Sequence, residues 1–411
     1  MKALRHPRVL FLTESFYPVL GGGETHIRDL GRRLLASGWE VIVLARQGEA
    51  TWPREERLEG IRVLRVPPPG AGRSGKYLMT PWALAELWRQ RKHFDVLVVR
   101  GTRVLGLPGL LAARVLGKPV VLQAEVNGEM SGEIYTWGTR LDRPLWRGAV
   151  SWLMRARNVV MRDADGVVAM SGRIAAEFRQ AGVAGEKIRW IPHGVDTTRF
   201  GPVTPEEKAG LRRQLGLPEA AVIVTYTGRL LRGKGLETLL QAFGALAPRH
   251  PALHLLVVGS GEGQSLSVEE ELRLQVREQR LDRRVSFTGR VEDVTTYLQA
   301  SDIFAFPSVF EALGLSLLEA AACGLPCLGS RTGGIVDVIE DGASGFLIEP
   351  GNRAEWVAKL EALAVDLSLR QAMGACARRR VVERFEVEDS AARYRSLFAE
   401  VASSALGGLD S

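Results

Sequence analysis

The stretch FPSVFEALGLSLLEAAACG, residues 306–324, sets two carboxylates, Glu311 and Glu319, in an otherwise apolar segment. On a single α-helix, side chains eight positions apart lie about 80° around the axis and about 12 Å along it. Both carboxylates can then contact one elongated ligand. The helix dipole accounts for a carboxylate at the amino terminus, but Glu319 lies beside Leu315 and Leu318 and needs a polar partner. The pattern therefore predicts one helix that presents both carboxylates to a long polar ligand.

The composition is typical of a soluble globular protein with more than one domain. The 411 residues are 46% hydrophobic and 25% charged, and this length suits two or three domains. The apolar run at residues 9–12 is too short for a signal-peptide core or a membrane span. Three cysteines, an odd number, predict neither a disulfide framework nor a zinc site. Together these features predict a cytoplasmic location.

Apolar strand-like runs alternate with helical runs along the whole chain. The first half contains RVLFLT, EVIVLA, IRVLRV, DVLVV, KPVVLQA and DGVVAM, and the second half contains AVIVTYTG, LHLLVVG, VSFTG, DIFAFP, LPCLGS and GFLIEP. Apolar runs separated by helices are typical of parallel sheets that are covered on both faces. The pattern predicts an α/β protein with two Rossmann-like, doubly wound domains that face each other across a cleft.

The alternation breaks once, at PHGVDTTRFGPVTP, residues 192–205, where prolines, glycines and small polar residues indicate a linker. We therefore predict an N-terminal domain over residues 1–198 and a C-terminal domain over residues 199–385. A C-terminal helix over residues 386–411 can cross back to the first domain. Ligands of doubly wound sheets bind at the carboxyl ends of the strands, so motifs that directly follow strands are the candidates for binding.

Two such motifs are rich in glycine. GGGETH, residues 21–26, follows the first strand and opens a helix, so its N–H groups either contact a phosphate or form a structural tight turn. TGRLLRGKG, residues 227–235, holds the matching position in the second half. There the forked guanidinium of Arg229 and the compact ammonium group of Lys234 could together neutralise a diphosphate. The alternative interpretation is that both are solvated cations on the surface.

Together these motifs resemble a known enzyme family. GGGE, TGRLLRGKG, FEALGLSLLEAAACGLP and TGGIVDVIEDGASGFLIEPGN are similar to the motifs of the retaining GT-B glycosyltransferases of family 4. The resemblance implies the GT-B fold and transfer of a sugar from a nucleoside diphosphate sugar to an acceptor. It also implies that the domain predicted over residues 1–198 binds the acceptor and that the domain predicted over residues 199–385 binds the donor. That acceptor is a polysaccharide, a lipid-linked molecule or a small molecule. The family reaction retains the anomeric configuration and needs no metal or other cofactor.

The resemblance also implies roles for particular residues. The donor-binding set is Gly22, Gly23, Arg229, Lys234, Glu311, Gly314, Leu315 and Glu319. Arg229 and Lys234 would clamp the diphosphate, Glu311 would hold hydroxyls of the donor sugar, and Glu319 would hold the ribose. Glycine backbone and helix-terminal N–H groups would contact the phosphates. Arg229, Lys234 and Glu311 are the implied catalytic residues.

The chain departs from the family pattern in two places. Many relatives carry a histidine after the fifth strand of the first domain, where this chain reads VVLQAEVNGEMSGE. Glu125 or Asn127 is the candidate for that acceptor-side role. Ala312 stands where glycine is usual, which bears on sugar identity. His26 and His193 are interpreted as structural residues.

Charge is distributed unevenly along the chain. Residues 1–198 hold 30 basic against 19 acidic residues, and residues 199–411 hold 24 against 28. RPLWRGAVSWLMRARNVVMR, residues 143–162, mixes tryptophans with Arg147, Arg155, Arg157 and Arg162, and residues 76–94 have a similar character. Such segments suit an anionic membrane surface or, equally, an amphipathic core helix with a solvated basic edge. No nucleic-acid-binding module accompanies the charge, so a lipid-linked or phosphorylated acceptor explains it better.

Two other functions remain open on the sequence. One is a non-catalytic sugar-nucleotide-binding subunit of a glycosyltransferase complex, although such a protein has no need of Arg229, Lys234, Glu311 and Glu319 together. The other is a sugar-nucleotide epimerase of similar fold. The spacing of Glu311 and Glu319 favours a transferase over an epimerase.

Overall fold

The computed structural model describes residues 6–19, 21–70, 74–133, 144–264 and 266–407, with all side chains in these ranges except those of 144–147 and 405–407. The chain divides into two units, Met1–His193 with Glu388–Ser411 and Gly194–Val387. The division lies five residues before the boundary predicted after residue 198. The chain returns to the first unit at Glu388, two residues after the start of the predicted C-terminal segment.

The first unit is built on an eight-stranded sheet. Its strands are β1 (Arg8–Leu12), β2 (Glu40–Arg46), β3 (Glu55–Leu58), β4 (Ile61–Val66), β5 (Val96–Arg100), β6 (Val120–Gln123), β7 (Gly166–Ala169) and β8 (Ile188–Trp190). Their order is β3-β4-β2-β1-β5-β6-β7-β8, and every pair is parallel except antiparallel β3 and β4. All six strands predicted for this half are present. The other two, β3 and β8, are edge strands that are only partly buried, so they lack the continuous apolar run of a central strand.

Helices cover both faces of this sheet. They are α1 (Gly22–Ala36), α2 (Gly75–Leu78), α3 (Thr80–Gln90), α4 (Leu107–Leu116), α5 (Pro144–Met161), α6 (Gly172–Gln180) and the C-terminal helix (Val387–Gly407). Helix α1 and the C-terminal helix share one face, where Phe11 of β1 packs against Phe398 with ring centroids 6.1 Å apart. Parallel crossovers are right-handed, so the connections that run from β4 through β7 place α3, α4 and α5 on the opposite face.

The second unit has a six-stranded, wholly parallel sheet. Its strands are β9 (Val222–Thr227), β10 (Leu253–Val258), β11 (Val285–Gly289), β12 (Ile303–Phe306), β13 (Cys327–Ser330) and β14 (Gly345–Ile348). They are ordered β11-β10-β9-β12-β13-β14, and all six were predicted. The chain winds outward from β9 in one direction and from β12 in the other. The loops after β9 and β12 therefore meet at the point where the strand order reverses, where such sheets bind ligands.

The helices of the second unit complete this core. They are α7 (Pro205–Gln214), α8 (Leu236–Leu246), α9 (Glu269–Glu278), α10 (Thr295–Gln299), α11 (Leu315–Ala322), α12 (Ile335–Val338), α13 (Arg353–Val365) and α14 (Leu367–Arg384). Trp356, Phe243 and Phe304 are fully buried between helices and sheet. Of the helices described, none combines the length and apolar character needed to cross a bilayer.

Most of the segment predicted as a linker, residues 192–205, is fixed to the second unit. Arg378 of α14 donates from Nη1 to Phe200 O at 2.6 Å and from Nη2 to Thr197 O at 2.9 Å. Val195 N donates to Phe385 O at 2.9 Å. The turn-forming composition therefore correctly indicated irregular backbone, but hydrogen bonds from the partly buried Arg378 hold this segment in place.

Candidate active site

Two loops meet at the strand-order reversal of the second unit. Val309 N, in the loop after β12, donates to Gly233 O, in the loop after β9, at 2.9 Å. Gly235 has φ +71°, and a Cβ on it would lie well inside van der Waals contact of Pro307 O. Only glycine combines this conformation with so close an approach. Gly235, the second glycine of GKG, therefore allows the two loops to come together.

A charged pair bridges the same loops. Lys234 Nζ lies 2.8 Å from Glu311 Oε2, with 24% and 17% of the two side chains exposed. A pair so sheltered is screened less than one on the surface, yet both groups keep an edge toward solvent. The predicted cation and carboxylate are thus brought into direct contact, at the position where ligands of such sheets bind.

The prediction that one helix carries both Glu311 and Glu319 is wrong. Helix α11 begins at Leu315, and Gly314 at its amino terminus has φ +95°, a left-handed conformation that interrupts a helix. The first helical bonds run from Leu317 N and Leu318 N to Gly314 O at 3.0 and 3.2 Å. Glu311 therefore lies in the preceding loop, and its contact with Lys234, rather than a helical spacing, sets its position. Glu319 lies on α11 and is half-buried.

The TGG segment, residues 332–334, follows β13 and is hydrogen-bonded to the loop that carries Glu311. Thr332 Oγ1 donates to Val309 O at 3.2 Å, and Gly334 N donates to Glu311 O at 3.3 Å. A Cβ on Gly334 would overlap Ala312 O. The glycines downstream of the two glutamates thus have a packing role, because they allow one backbone to rest directly on another.

Arg229 occupies the loop after β9 and is exposed. Its backbone is held by Tyr226, whose hydroxyl donates to Arg229 O at 3.0 Å. The neighbouring glycine turn after β10 supports the same loop, since Leu230 N donates to Ser260 O at 3.2 Å. A fixed backbone that carries an exposed guanidinium suits an anionic ligand.

A second cluster lies at the strand ends of the first unit. Arg100, at the end of β5, has 1% of its side chain exposed. Its Nη1 donates to Gly23 O at 2.7 Å, and its Nη2 lies 3.1 Å from Glu125 Oε1. Helix α1 begins at Gly22 with no capping side chain, so its first N–H groups have no capping partner at that end. The structure thus brings Gly22, Gly23 and Glu125 together around a buried arginine that sequence analysis did not identify.

Burial raises the pKa of Glu125 to about 7. The positive charge of Arg100 opposes this effect, whereas the negative charges of Glu129, Glu24 and Glu14 add to it. Because 30% of the Glu125 side chain is still exposed, the carboxyl group can meet a ligand. A group with this pKa changes its charge within the neutral range.

The turn that carries Glu125 is fixed by Glu129, which sequence analysis also missed. Glu129 is 2% exposed and accepts from Thr102 N at 2.7 Å and from Thr102 Oγ1 at 2.6 Å. It also accepts from Glu125 N and Val126 N, both at 3.1 Å. Asn127, the other acceptor-side candidate, is 2% exposed in this turn. Glu125 is therefore the more accessible of the two candidates.

His26 and His193 form a buried stack, with ring centroids 3.8 Å apart and planes 12° from parallel. Burial lowers the pKa of His193 to about 3 and also lowers that of His26 well below its ordinary value. His26 Nε2 lies 3.3 Å from the Tyr394 hydroxyl of the C-terminal helix. Both rings are therefore neutral and join elements of the first unit.

Glycine-rich loops that carry charged side chains at the strand ends of two doubly wound units are typical of GT-B glycosyltransferases. The sequence matches the family Glycosyl transferases group 1 over residues 207–380 and Glycosyltransferase Family 4 over residues 20–199. A D-inositol 3-phosphate glycosyltransferase of Salinispora arenicola is 30% identical over 87% of this chain and 83% of its own length. The chain therefore belongs to the group 1, family 4 glycosyltransferases.

Other relatives have similar names. A D-inositol 3-phosphate glycosyltransferase of Corynebacterium jeikeium is 38% identical, but the match covers 46% of this chain and 46% of that protein, slightly less than half of each. A GDP-mannose-dependent monoacylated alpha-(1-6)-phosphatidylinositol monomannoside mannosyltransferase of Corynebacterium glutamicum is 27% identical over 91% of this chain and 93% of that protein.

Solved structures show the same fold. The sucrose-phosphate synthase of Thermosynechococcus elongatus superposes with a TM-score of 0.84, covering 97% of this chain and all of that one at 24% sequence identity. This likeness confirms the predicted fold class, an α/β protein of GT-B type.

Proposed function

We propose that this chain is a retaining glycosyltransferase that moves a sugar from a nucleoside diphosphate sugar to a hydroxyl group of a phosphorylated acceptor. The observation that carries this proposal is the contact between Lys234 and Glu311 at 2.8 Å, beside the amino terminus of α11. A fixed cation, a fixed carboxylate and helix-terminal N–H groups at one position match the charges and hydroxyl groups of a sugar diphosphate.

On this proposal the second unit holds the donor. Arg229, Lys234 and the N–H groups of Gly314 and Leu315 bind the diphosphate oxygens, and Glu319 of α11 accepts hydrogen bonds from the ribose. Glu311 accepts hydrogen bonds from the donor sugar while Lys234 keeps its carboxylate in place. In the first unit, Gly22 and Gly23, at the uncapped start of α1, offer backbone N–H groups to a phosphate.

The reaction breaks the bond between the anomeric carbon and the diphosphate oxygen and forms one to the acceptor oxygen on the same side of the sugar. The hydroxyl proton of the acceptor leaves with the nucleoside diphosphate. The rate then depends on stabilising the charge that develops on the leaving diphosphate, and preorganised cations and N–H groups supply this stabilisation. We propose that the enzyme needs no metal ion because Arg229 and Lys234 supply the positive charge.

The first unit carries groups that suit a polyol with a phosphate. Glu14 and Glu125 flank the same backbone turn after β5, and both can accept hydrogen bonds from hydroxyl groups. Lys76 Nζ lies 3.9 Å from Glu14 Oε2, and the charges of Arg46 and Arg103 act on the Glu14 carboxyl group. In this region the carboxylates can bind hydroxyl groups, and the three basic side chains can bind a phosphate.

The names of the relatives point to the same chemistry. D-inositol 3-phosphate and a phosphatidylinositol monomannoside both contain an inositol and a phosphate. We therefore propose an acceptor in which a phosphate stands near the accepting hydroxyl group, either as a free polyol phosphate or as a lipid headgroup.

A donor and acceptor panel tests this proposal with the full chain. Sugar nucleotides of several bases are incubated with inositol phosphate, with a phosphatidylinositol dispersed in detergent, or with unphosphorylated inositol. We expect nucleoside diphosphate release to rise with a phosphorylated acceptor and not with inositol. Binding without release from any donor would instead indicate a non-catalytic subunit, and an altered sugar nucleotide would indicate an epimerase.

A further inference from the structure

The helical layer formed by α2, α3, α4 and α5 exposes many large apolar side chains. Among the described side chains, 18 large hydrophobic residues are exposed, and ten of them belong to these four helices. We call these ten the apolar face: Tyr77, Leu78, Trp82, Trp88, Leu111, Val115, Trp152, Leu153, Val159 and Val160. Helix α1 and the described part of the C-terminal helix, which cover the other side of the sheet, contribute none.

The spacing of these residues gives α4 and α5 one apolar stripe each. Leu111 and Val115 are four positions apart on α4, and Leu153 and Val160 are seven apart on α5. Residues four or seven apart on a helix lie on the same side of it. Since α4 connects β5 to β6 and α5 lies between β6 and β7, the stripes belong to neighbouring helices of one layer.

Basic residues accompany the apolar face. Residues 74–94, 107–118 and 148–163 contain nine Lys and Arg residues against two acidic ones. Exposed tryptophan beside Lys and Arg is the composition of segments that lie at a bilayer interface, with rings at the level of the headgroups. Trp152 is 70% exposed, far more than core packing leaves for so large a ring.

The structure corrects which residues of α5 are available for such a surface. Arg157 Nη2 donates to Glu129 O at 2.7 Å, and Arg162 Nε donates to Ala181 O at 2.6 Å. These two arginines are therefore directed to backbone carbonyls of the first unit. The side chains of Arg147 and Trp146 lie outside those described. Tryptophans on two helices, α3 and α5, rather than the four arginines of one helix, define the surface.

We infer that the apolar face docks the first unit on an anionic lipid bilayer. Trp82, Trp88 and Trp152 insert at the headgroup level, and the nearby basic residues that are not directed to backbone carbonyls contact anionic headgroups. This inference goes beyond the proposed sugar transfer and does not depend on it, because a bilayer can be bound in the absence of donor and acceptor.

Vesicle co-sedimentation of the full chain tests this inference. Vesicles of phosphatidylcholine alone are compared with vesicles that also contain phosphatidylglycerol. We expect binding to the anionic vesicles that weakens as salt rises, because exposed charges are screened over about 8 Å at physiological ionic strength. Replacing Trp82, Trp88 and Trp152 by Ser should lower the vesicle-bound fraction by about tenfold or more.

The matched control replaces three exposed apolar residues of the second unit, Leu274, Val365 and Leu367, by Ser, and it should bind vesicles as the wild type does. Circular dichroism verifies that each variant is folded, and Trp152→Ser alone replaces the triple variant if that one is not. Donor hydrolysis without vesicles should be unchanged in the tryptophan variant, so failure of docking and failure of catalysis are distinguished. Equal binding by the tryptophan variant, no binding by the wild type, or a self-association that the tryptophan variant abolishes would each overturn the inference.

Discussion

The buried guanidinium of Arg100 lies 3.1 Å from the partly exposed carboxylate of Glu125, and the same arginine donates to Gly23 O at 2.7 Å. One side chain thus fixes both the start of α1 and the turn after β6. The family resemblance led us to expect a histidine after this strand, and here a carboxylate paired with a buried arginine stands in that region. The carboxylate has a pKa of about 7, so it also titrates in the neutral range.

The first prediction concerns pH. A protonated Glu125 cannot accept a hydrogen bond through both oxygens, whereas the carboxylate can, so kcat/KM for the acceptor should rise as pH increases through about 7. The rise should level off above that pH, because the group is then fully ionised. The measurement is an initial-rate profile from about pH 5.5 to about pH 8.5. Glu125→Gln should be slower and should lose this inflection; a wild-type profile retained by Glu125→Gln would assign the inflection to another group.

The second prediction concerns the pair that bridges the two loops of the second unit. Lys234→Ala and Glu311→Gln should each lower kcat by at least about tenfold, equivalent to about 1.4 kcal/mol of transition-state stabilisation. Because the two side chains touch, the double variant should lose less than the product of the single effects. Steady-state kinetics of the three variants test this, with Arg232→Ala as control, since Arg232 lies in the same loop but pairs with Glu271 on the surface. Strict additivity would show that the two residues act independently.

The third prediction concerns the glycine that allows the loops to approach. Gly235→Ala should lower the thermal midpoint and the activity together, because the new Cβ overlaps Pro307 O and the residue keeps a positive φ. Gly210→Ala is the control: Gly210 lies inside α7, an added Cβ would meet only the end of the Arg213 side chain at 4.0 Å, and alanine is favoured there by about 1 kcal/mol. Calorimetry on both variants provides the measurement. A Gly235→Ala protein as stable as the wild type would contradict the close backbone contact.

The fourth prediction concerns metal ions. If Arg229 and Lys234 neutralise the leaving diphosphate, turnover should survive excess EDTA with little change. Arg229→Ala should lower kcat whether or not magnesium is added. Loss of activity in EDTA, restored by magnesium or manganese, would show instead that a divalent ion carries this role.

The sequence predicts the architecture well because parallel strands covered on both faces leave a continuous apolar signal. The twelve strands it predicted are present, and the two it missed, β3 and β8, are the two edge strands of the first sheet and are only partly buried. It also located Arg229 and Lys234 in a loop that follows a strand. The start of α11 was placed too early because the local pattern of Glu311–Leu315 does not reveal that Gly314 has a positive φ.

Long-range partners are the part that the sequence did not reveal. Arg100 and Glu125 are 25 positions apart, and neither has a local feature that marks it as buried or paired. Glu129 resembles any surface glutamate until the fold sets Thr102 beside it. Such contacts depend on which strands are neighbours, and strand order is a property of the whole sheet rather than of any segment.

The most direct test of sugar transfer at the Lys234–Glu311 pair is proton NMR of a single reaction mixture. An α-configured donor selected from the panel is followed with its acceptor, once with the wild type and once with Lys234→Ala. We predict that the wild type releases one nucleoside diphosphate for each α-linked product formed, and that Lys234→Ala does so at least about tenfold more slowly. A β-linked product, an isomerised sugar nucleotide, or equal rates for the two proteins would contradict retaining transfer at this site.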